Sequence, residues 1–371
     1  MSTKELYIGL LSGTSVDAVD AVVVNLAPPT PALIATHSQP IAGRLRAAIL
    51  KLCGGSAIGL QELGETHIEL GEVFAQASMN LLEITGIAAE EILAIGSHGQ
   101  TVWHEPNGDK PFTLQIGDAN TIAERTGITT VSDFRGRDIA AGGQGAPLAP
   151  LLHHNRFASA HVSRAIINIG GISNITFLSP KTSAIAFDSG PGNVLMDWWT
   201  AKHKGRNFDK NGSWAREGKV HEELLASLQQ DAYFTRRAPK STGRELFNGA
   251  WLEAALKSLN KSVTPVDVQA TLAQLTISSL VNALEGHGDV EEVYVCGGGA
   301  HNQTLMEGLT KALAPKKVTT TEALGIHPDW VEAIAFAWIA KQTIKGTAVD
   351  TSAYTGARAP AVLGAIYQGK I

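Results

Sequence analysis

Asp188, in the run "AFDSGPGN" that ends at Asn193, stands at the end of an apolar segment, before a turn from which Gly190, Pro191 and Gly192 remove side-chain bulk. A carboxylate fixed at a strand end is well placed as a general base, which needs reach and orientation first and a suitable pKa second. The competing reading is a helix N-cap, by Asp188 or by Asn193. Asn193 suits the cap better, which leaves Asp188 for chemistry.

Three Gly-rich turns each follow an apolar run: Ser12, Gly13, Thr14 and Ser15; Gly170, Gly171, Ile172, Ser173 and Asn174; and Gly297, Gly298, Gly299, Ala300, His301 and Asn302. Glycine lets the backbone approach a ligand with its N–H groups directed at it, which suits polyphosphate oxygens bound at the strand ends of an α/β sheet. A single such turn reads most simply as a turn; three in one chain favour phosphate binding. Asp17 and Asp20 follow the first turn, where one or two carboxylates with phosphates and waters suit Mg²⁺. The alternative is that they alternate outward from a strand, and Asp17 is the preferred ion partner.

A polar run, "SHGQTVWHEP", gathers His98, Gln100, Thr101, Trp103, His104 and Glu105. Two histidines with no third ligand nearby make a poor zinc site, so loop packing explains them better. Gln, Thr and Trp together suit a sugar, which takes hydrogen bonds around its ring and an apolar face beneath it. In "DFRGRD", Arg135 or Arg137 could hold a carboxylate by a bidentate contact, or both could be paired surface arginines. The chain offers neither GxxxxGK[ST] nor GxGxxG followed by a helix, and it lacks the HRD and DFG pair of protein kinases. Phosphate-binding hairpins without a P-loop describe the actin, heat-shock chaperone and sugar-kinase superfamily.

The elements that must carry these residues alternate between strand and helix. Leu6 to Leu11 and Val16 to Leu26 read as strands around the first turn, Gly43 to Leu52 as a helix stopped by Gly54 and Gly55, and Leu60 to Thr85 as a long helix ended by Gly86. Strands follow at Leu93 to Gly96, Phe112 to Ile116 and Ile128 to Phe134, with the "SHGQTVWHEPNGDK" run as a loop and a short helix from Ala119 to Thr126. "RGRDIAAGGQGAPLAP" is rich in Gly and Pro and marks a domain crossing or binding loop. Arg164 to Ile169 then repeats the opening pattern of strand, Gly and hydroxyl turn, strand. Ala184 to Phe187 and Val293 to Cys296 are further strands; Val194 to Ala201, Val266 to Glu285, Thr304 to Leu313 and Trp330 to Ile344 are helices. The repeat predicts an α/β fold of two similar domains facing one another across a cleft, 1–134 and 135–359, the first completed by 360–371.

At 371 residues the chain is long enough for two domains, and 44% apolar with 18% charged residues is the composition of a well-packed protein. A net charge of −5 speaks against a nucleic-acid binder. Cys53 and Cys296, in no CxxC pattern, read as reduced core thiols. The N-terminus lacks a basic region and a long apolar one, and no run of eighteen apolar residues occurs, which predicts a cytoplasmic protein without a membrane partner.

With these residues in view the chain resembles the anhydro-N-acetylmuramic acid kinase family. The likeness runs through "SGTSVDAVD", "GSHGQTVWHEP", "LQIGDA", "TGITTVSDFRGRDIAAGGQGAPL", "NIGGISN", "FDSGPGNVLMDWW", "KSTGRE", "VCGGGAHN" and "EAIAFAW". The resemblance implies two actin-like (ribonuclease H-like) domains, usually as a homodimer, that use ATP and Mg²⁺. It implies a phosphotransferase that opens the 1,6-anhydro bond of its amino-sugar substrate with water and phosphorylates O6. By the same resemblance Asp188 is the base; Gly13, Thr14, Ser15, Val16, Asp17, Ala18, Val19 and Asp20 form one phosphate segment; Gly170, Gly171, Ser173 and Asn174 form the second; Gly297, Gly298, Gly299 and Asn302 lie by the adenosine. Gln100, Thr101, Arg135 and Glu332 line the sugar site. Two departures stand out: the family usually carries Gly at Ala18 and Arg at Gly136. An ordinary hexose or N-acetylhexosamine kinase, and a nucleotide-switched scaffold, are the rival readings.

Overall fold

The meander that opens the chain follows from its residues: β1 (Leu6–Ser12) is buried at every position, and β2 (Ala18–Asn25) pairs with it antiparallel through the Gly13–Val16 turn. The structure, a computed structural model, describes residues 4–27, 31–54, 57–259, 261–287 and 290–370. Gly55, expected to help stop the first helix, lies outside the described residues. β3 (Ala32–Pro40) completes the meander beside β2. On the other side of β1, β4 (Ile92–Ser97) is added in parallel; after a separate hairpin of β5 (Gln100–Glu105) and β6 (Phe112–Ile116), β7 (Thr130–Ser132) joins β4, again in parallel.

The second half repeats this plan. β8 (Arg164–Ile169), β9 (Ile172–Leu178) and β10 (Ile185–Pro191) form an antiparallel meander, and β11 (Glu292–Cys296) and β12 (Lys317–Thr320) add in parallel beyond β8. The strand orders, 3-2-1-4-7 and 10-9-8-11-12, are therefore the same, with the same senses. β13 (Ala365–Tyr367) closes the first sheet antiparallel to β7. The duplicated pattern expected from two Gly-rich hairpins is a duplicated sheet.

Compact units divide at 156/157 and at 329/330: 1–156 with 330–371, and 157–329. Relative to the expected 134/135 boundary the first unit runs on through two helices, Phe134–Ala140 and Pro150–Phe157. Its C-terminal return begins near 330 instead of 360, because the helix Val331–Ile344 packs on β1 and β4. There Gly9 and Gly96 are register partners. A Cβ on Gly9 would overlap the Ala333 carbonyl, and one on Gly96 the Phe336 carbonyl, so the helix backbone lies directly on the sheet. Helix Leu60–Thr85 ends at Gly86 with φ 66°, and Ala119–Thr126 at Gly127 with φ 71°, as left-handed caps. Among the described residues no helix is long and apolar enough to cross a membrane.

Candidate active site

In the second unit, Ile167, Ile169, Ile175 and Phe187 point into one apolar core, which sends the alternate residues Asn168, Asn174 and Asp188 to the other face of the sheet. Asp188 lies inside β10, not at its end, and is 6% exposed. A register shift between Asp188 and Gly190 inserts Ser189 as a bulge, a device that re-aims neighbouring side chains.

Three groups hold Asp188. Its backbone N–H donates to the Lys240 carbonyl at 3.1 Å, its own carbonyl accepts from the Tyr233 hydroxyl at 2.8 Å, and its Oδ2 accepts from the Thr242 N–H at 3.0 Å. Lys240 is itself buried, its Nζ donating to the Tyr233 carbonyl at 3.2 Å and lying 4.7 Å from the centre of the Tyr233 ring. Burial lowers the Lys240 pKa while the Asp188 charge draws it back up. Burial, then Asp188, pushes the Tyr233 phenol far up, so it stays a neutral donor.

Asn193 occupies the N-cap position of helix Val194–Lys204, but its side chain does not cap it; instead Nδ2 donates to the Ile169 carbonyl at 3.2 Å. The second Gly turn meets this helix through its carbonyls: that of Gly171 accepts from the Gly192 and Val194 N–H groups at 2.8 and 3.1 Å, and that of Gly170 from the Asn193 N–H at 2.8 Å. Across the strands Asp188 pairs with Asn174, Asn174 with Asn168, and Asn168 with Cys296. Five buried side-chain oxygens in this region, Asn168 Oδ1, Ser173 Oγ, Asn174 Oδ1, Ser241 Oγ and Thr242 Oγ1, find no hydrogen-bond partner among the described residues. Buried polar oxygens are normally paired, so a cluster of orphans marks a place for a ligand or water.

Beside this row, Gly297 has φ 78° and a Cβ there would overlap Asn168 Oδ1, which requires glycine. Gly298, Gly299, Ala300 and His301 form a 3-10 turn; a Cβ on Gly298 would meet open space, whereas Gly299 packs on Ile169. Asn302 caps helix Gln303–Ala312, its Oδ1 accepting from the Leu305 N–H at 3.2 Å, so that oxygen serves the helix.

In the first unit the turn Gly13–Val16 is closed by a Val16 N–H to Gly13 carbonyl bond of 3.2 Å, with Val16 at φ 52°. A β-branched residue in that region is strained, a feature that collects at binding sites. Ser15 Oγ donates to Asp17 Oδ1 at 2.5 Å, and the exposed Asp17 suits an ion bound through water. Asp20 accepts from its cross-strand partner Ser38 at 3.0 Å, the outward-alternating reading. Thr14 is half-buried in the turn; Ala18, half-buried, and Val19, buried, open β2. Ala18 is not among the positive-φ residues, so its methyl group meets no backbone penalty there.

Ser12 Oγ donates to Gln100 Oε1 at 2.7 Å, tying the first turn to the sugar candidates. Gln100 and Thr101, expected in a loop, lie in β5, and Thr101 Oγ1 accepts from Gln115 at 3.1 Å. Arg135 donates from Nε to His98 Nε2 at 2.8 Å and from Nη1 to the Gly145 carbonyl at 2.7 Å. His98 Nδ1 therefore carries the proton given to the Gly99 carbonyl at 2.9 Å; burial, then Arg135, holds its pKa well below the usual range. Glu332 sits in the first turn of Val331–Ile344, beside the Ala333 carbonyl that covers Gly9. At Gly136, where the resemblance leads us to expect Arg, a Cβ would overlap the Asp133 carboxylate. Arg137 lies in the last turn of the short helix Phe134–Ala140.

By residue type and spacing alone His98 had only a packing role, and Asn168, Tyr233, Lys240 and Thr242 had none. The one signal was "KSTGRE", a polar run whose spacing from Asp188 carries no periodic information.

A duplicated mixed sheet, each half a meander extended by parallel strands, is the architecture of an actin-like (ribonuclease H-like) α/β protein. The anhydro-N-acetylmuramic acid kinase family model matches residues 5–369. The protein of that name from Coxiella burnetii (strain Dugway 5J108-111) is 49% identical over 371 residues, 99% of this chain and 98% of that protein. The one from Vibrio cholerae serotype O1 is 47% identical over 369 residues, 99% of each. The chain belongs to the anhydro-N-acetylmuramic acid kinase family. Among solved structures, the Acidaminococcus fermentans (R)-2-hydroxyglutaryl-CoA dehydratase component A aligns with 90% of this chain and 96% of its own at 12% identity and a TM-score of 0.49, too distant to bear on function.

Proposed function

We propose that this chain is the ATP-dependent kinase of 1,6-anhydro-N-acetylmuramate, acting in the cytoplasm in peptidoglycan recycling and giving N-acetylmuramate 6-phosphate and ADP. The observation that carries the mechanism is Asp188: a buried carboxylate clamped by Tyr233, Lys240 and Thr242, with two neighbouring buried oxygens, Asn174 Oδ1 and Thr242 Oγ1, that have no partner among the described residues.

In this reading Asp188 takes a proton from water as the water oxygen bonds to the anomeric carbon. The bond from that carbon to O6 breaks, its electron pair staying on O6. O6 then bonds the γ-phosphorus as the bond to the β-phosphate oxygen breaks and ADP departs. One carboxylate suffices, since phosphate traps the leaving oxygen that an inverting glycosidase would protonate with a second acid. Phosphoryl transfer asks chiefly for positioning and charge neutralisation. The turns from Gly13 to Asp20 and from Gly170 to Asn174 direct backbone groups at the phosphates, with Gly297, Gly298, Gly299 and Asn302 beside the adenosine. Asp17 would hold Mg²⁺ through water; bound there, the ion neutralises phosphate charge. Arg135, oriented by neutral His98, holds the lactyl carboxylate, while Gln100, Thr101 and Glu332 bind the sugar. A homodimer is part of the proposal, read by sedimentation.

The test is ATP turnover with the anhydro sugar in ¹⁸O-labelled water. Product labelled at the anomeric position is expected, and Asp188→Asn should lower turnover by about 10²–10⁴-fold with ATP binding retained. Unlabelled product would refute attack by water; no turnover of the anhydro sugar together with phosphorylation of a free hexose or N-acetylhexosamine would point to a kinase of ordinary hexoses, and sugar-independent ATP hydrolysis to a scaffold.

A further inference from the structure

We infer that Thr242 is a further catalytic residue. Its N–H fixes the Asp188 carboxylate, and its hydroxyl, with the Asn174 amide oxygen across the sheet, holds the water that Asp188 deprotonates. The inference rests on the reaction proposed above.

Thr242 reaches Asp188 by its backbone: the N–H to Oδ2 bond of 3.0 Å brings the whole residue alongside the carboxylate. Its Oγ1 is nevertheless buried without a hydrogen-bond partner, a condition a folded protein keeps only where something else supplies the bond. Asn174 stands directly opposite Asp188 in the β9–β10 register, and such partners share a sheet face with Cβ atoms about 4.5–5.5 Å apart. Its Oδ1 is also buried and unpartnered. Asn168 is one strand further on, roughly 10 Å from Asp188 by strand spacing, with its Oδ1 against Gly297, and it takes no part.

A bound water needs two to four polar partners. A nucleophilic water needs an acceptor for each proton and a lone pair left for the carbon. Asp188 accepts the proton that is removed. Asn174 Oδ1 accepts the one that stays, and the Thr242 hydroxyl donates its own proton to one lone pair of the water. Oriented in this way, the water keeps its remaining lone pair for the anomeric carbon.

Thr242→Val removes the hydroxyl and keeps both the shape and the N–H; Thr242→Ser keeps the hydroxyl. In labelled water the wild type should incorporate solvent oxygen. Thr242→Val should lower kcat by about 10–100-fold, the scale of a misplaced reacting group, with KM for sugar and ATP within about twofold, and Thr242→Ser should return kcat to within about fivefold. Thr242→Ala, less crowded, is read in the same way if the valine variant does not fold. A wild type that incorporates no solvent oxygen overturns the proposed reaction and this inference together. With a labelling wild type, the inference alone falls on any of three results: unchanged kcat in the valine and alanine variants, a serine variant as slow as either of them, or a change confined to the sugar KM.

Discussion

Acid should loosen the first unit before the second, because the most deeply buried neutral histidines lie there. Burial pushes His153 down to about 3 and, with Arg135 nearby, His104 down to about 4; His98 is driven well below its usual value by the same two causes. A histidine whose folded pKa lies below its unfolded one binds a proton more readily when unfolded, so stability rises with pH and is lost as pH falls below about 6.5 toward the folded value. At pH 5 a group moved from about 6.5 to about 3 or 4 has lost about 2 kcal/mol. His153 and His104 together therefore remove about 4 kcal/mol from a unit whose whole stability is on the order of 5–15 kcal/mol, and His98 adds to the loss. Asp133 works the other way, since burial raises its pKa and its protonation on acidification relieves a penalty. Carboxylates held low, such as Glu5, Glu72 and Asp118, lose their contribution only below the ordinary carboxylate range and are silent at pH 5.

Backbone hydrogen exchange read by mass spectrometry at pH 7.5, 6 and 5, corrected for intrinsic rates, measures each unit separately. Opening free energies of β1, β4 and Val331–Ile344 should fall by roughly 4 kcal/mol between pH 7.5 and 5, and those of β8 and β11 by much less. In His153→Gln the fall should shrink by about half. Equal losses in both units, or a first unit unchanged within about 1 kcal/mol, would refute the assignment of neutral buried imidazoles.

Gly96→Ala should destabilise the first unit by about 3 kcal/mol or more, since the added methyl overlaps the Phe336 carbonyl and only a shift of Val331–Ile344 relieves it; urea unfolding reads this, and a loss under about 1 kcal/mol would show that the helix floats on the sheet. Arg135→Lys keeps the charge but loses the planar fork anchored on His98 and Gly145, so KM for the sugar acid should rise about 10-fold or more with KM for ATP unchanged; equal KM values would take Arg135 out of the sugar site.

The parts of the fold that could be read from sequence were those with a local signal. Leu60–Thr85 and Ala119–Thr126 end at the glycines that adopt left-handed caps, and β8 is a bare apolar run. β3 escaped because it is largely exposed and carries no apolar alternation. Helix Phe134–Ala140 escaped because Gly136 interrupts it and distant groups brace it: Asp138 accepts from the Gly145 N–H at 2.7 Å and the Thr355 hydroxyl at 2.9 Å. The early return of the chain at 330 was hidden for a similar reason. Val331–Ile344 is apolar nearly all round, so its periodicity names no face, and its fit to Gly9 and Gly96 is visible only once β1 and β4 are paired.

The site divides along the same line. Asp188 was legible by type and by the turn after it, but its clamp comes from Tyr233 and Thr242, 45 and 54 residues away, in a stretch with no strand or helix pattern to aim it. The row Asn168, Asn174, Asp188 is unevenly spaced in sequence and is aligned only by the β8–β9–β10 register. Because side chains alternate at every residue, a slip of one position at the Gly170–Gly171 turn would turn Asn174 into the apolar core and bring Ser173 or Ile175 opposite the base. The turn read as a phosphate binder therefore also sets which oxygens stand beside Asp188, and in the proposed reaction it would couple the geometry of the phosphate segment to that of the attacking water.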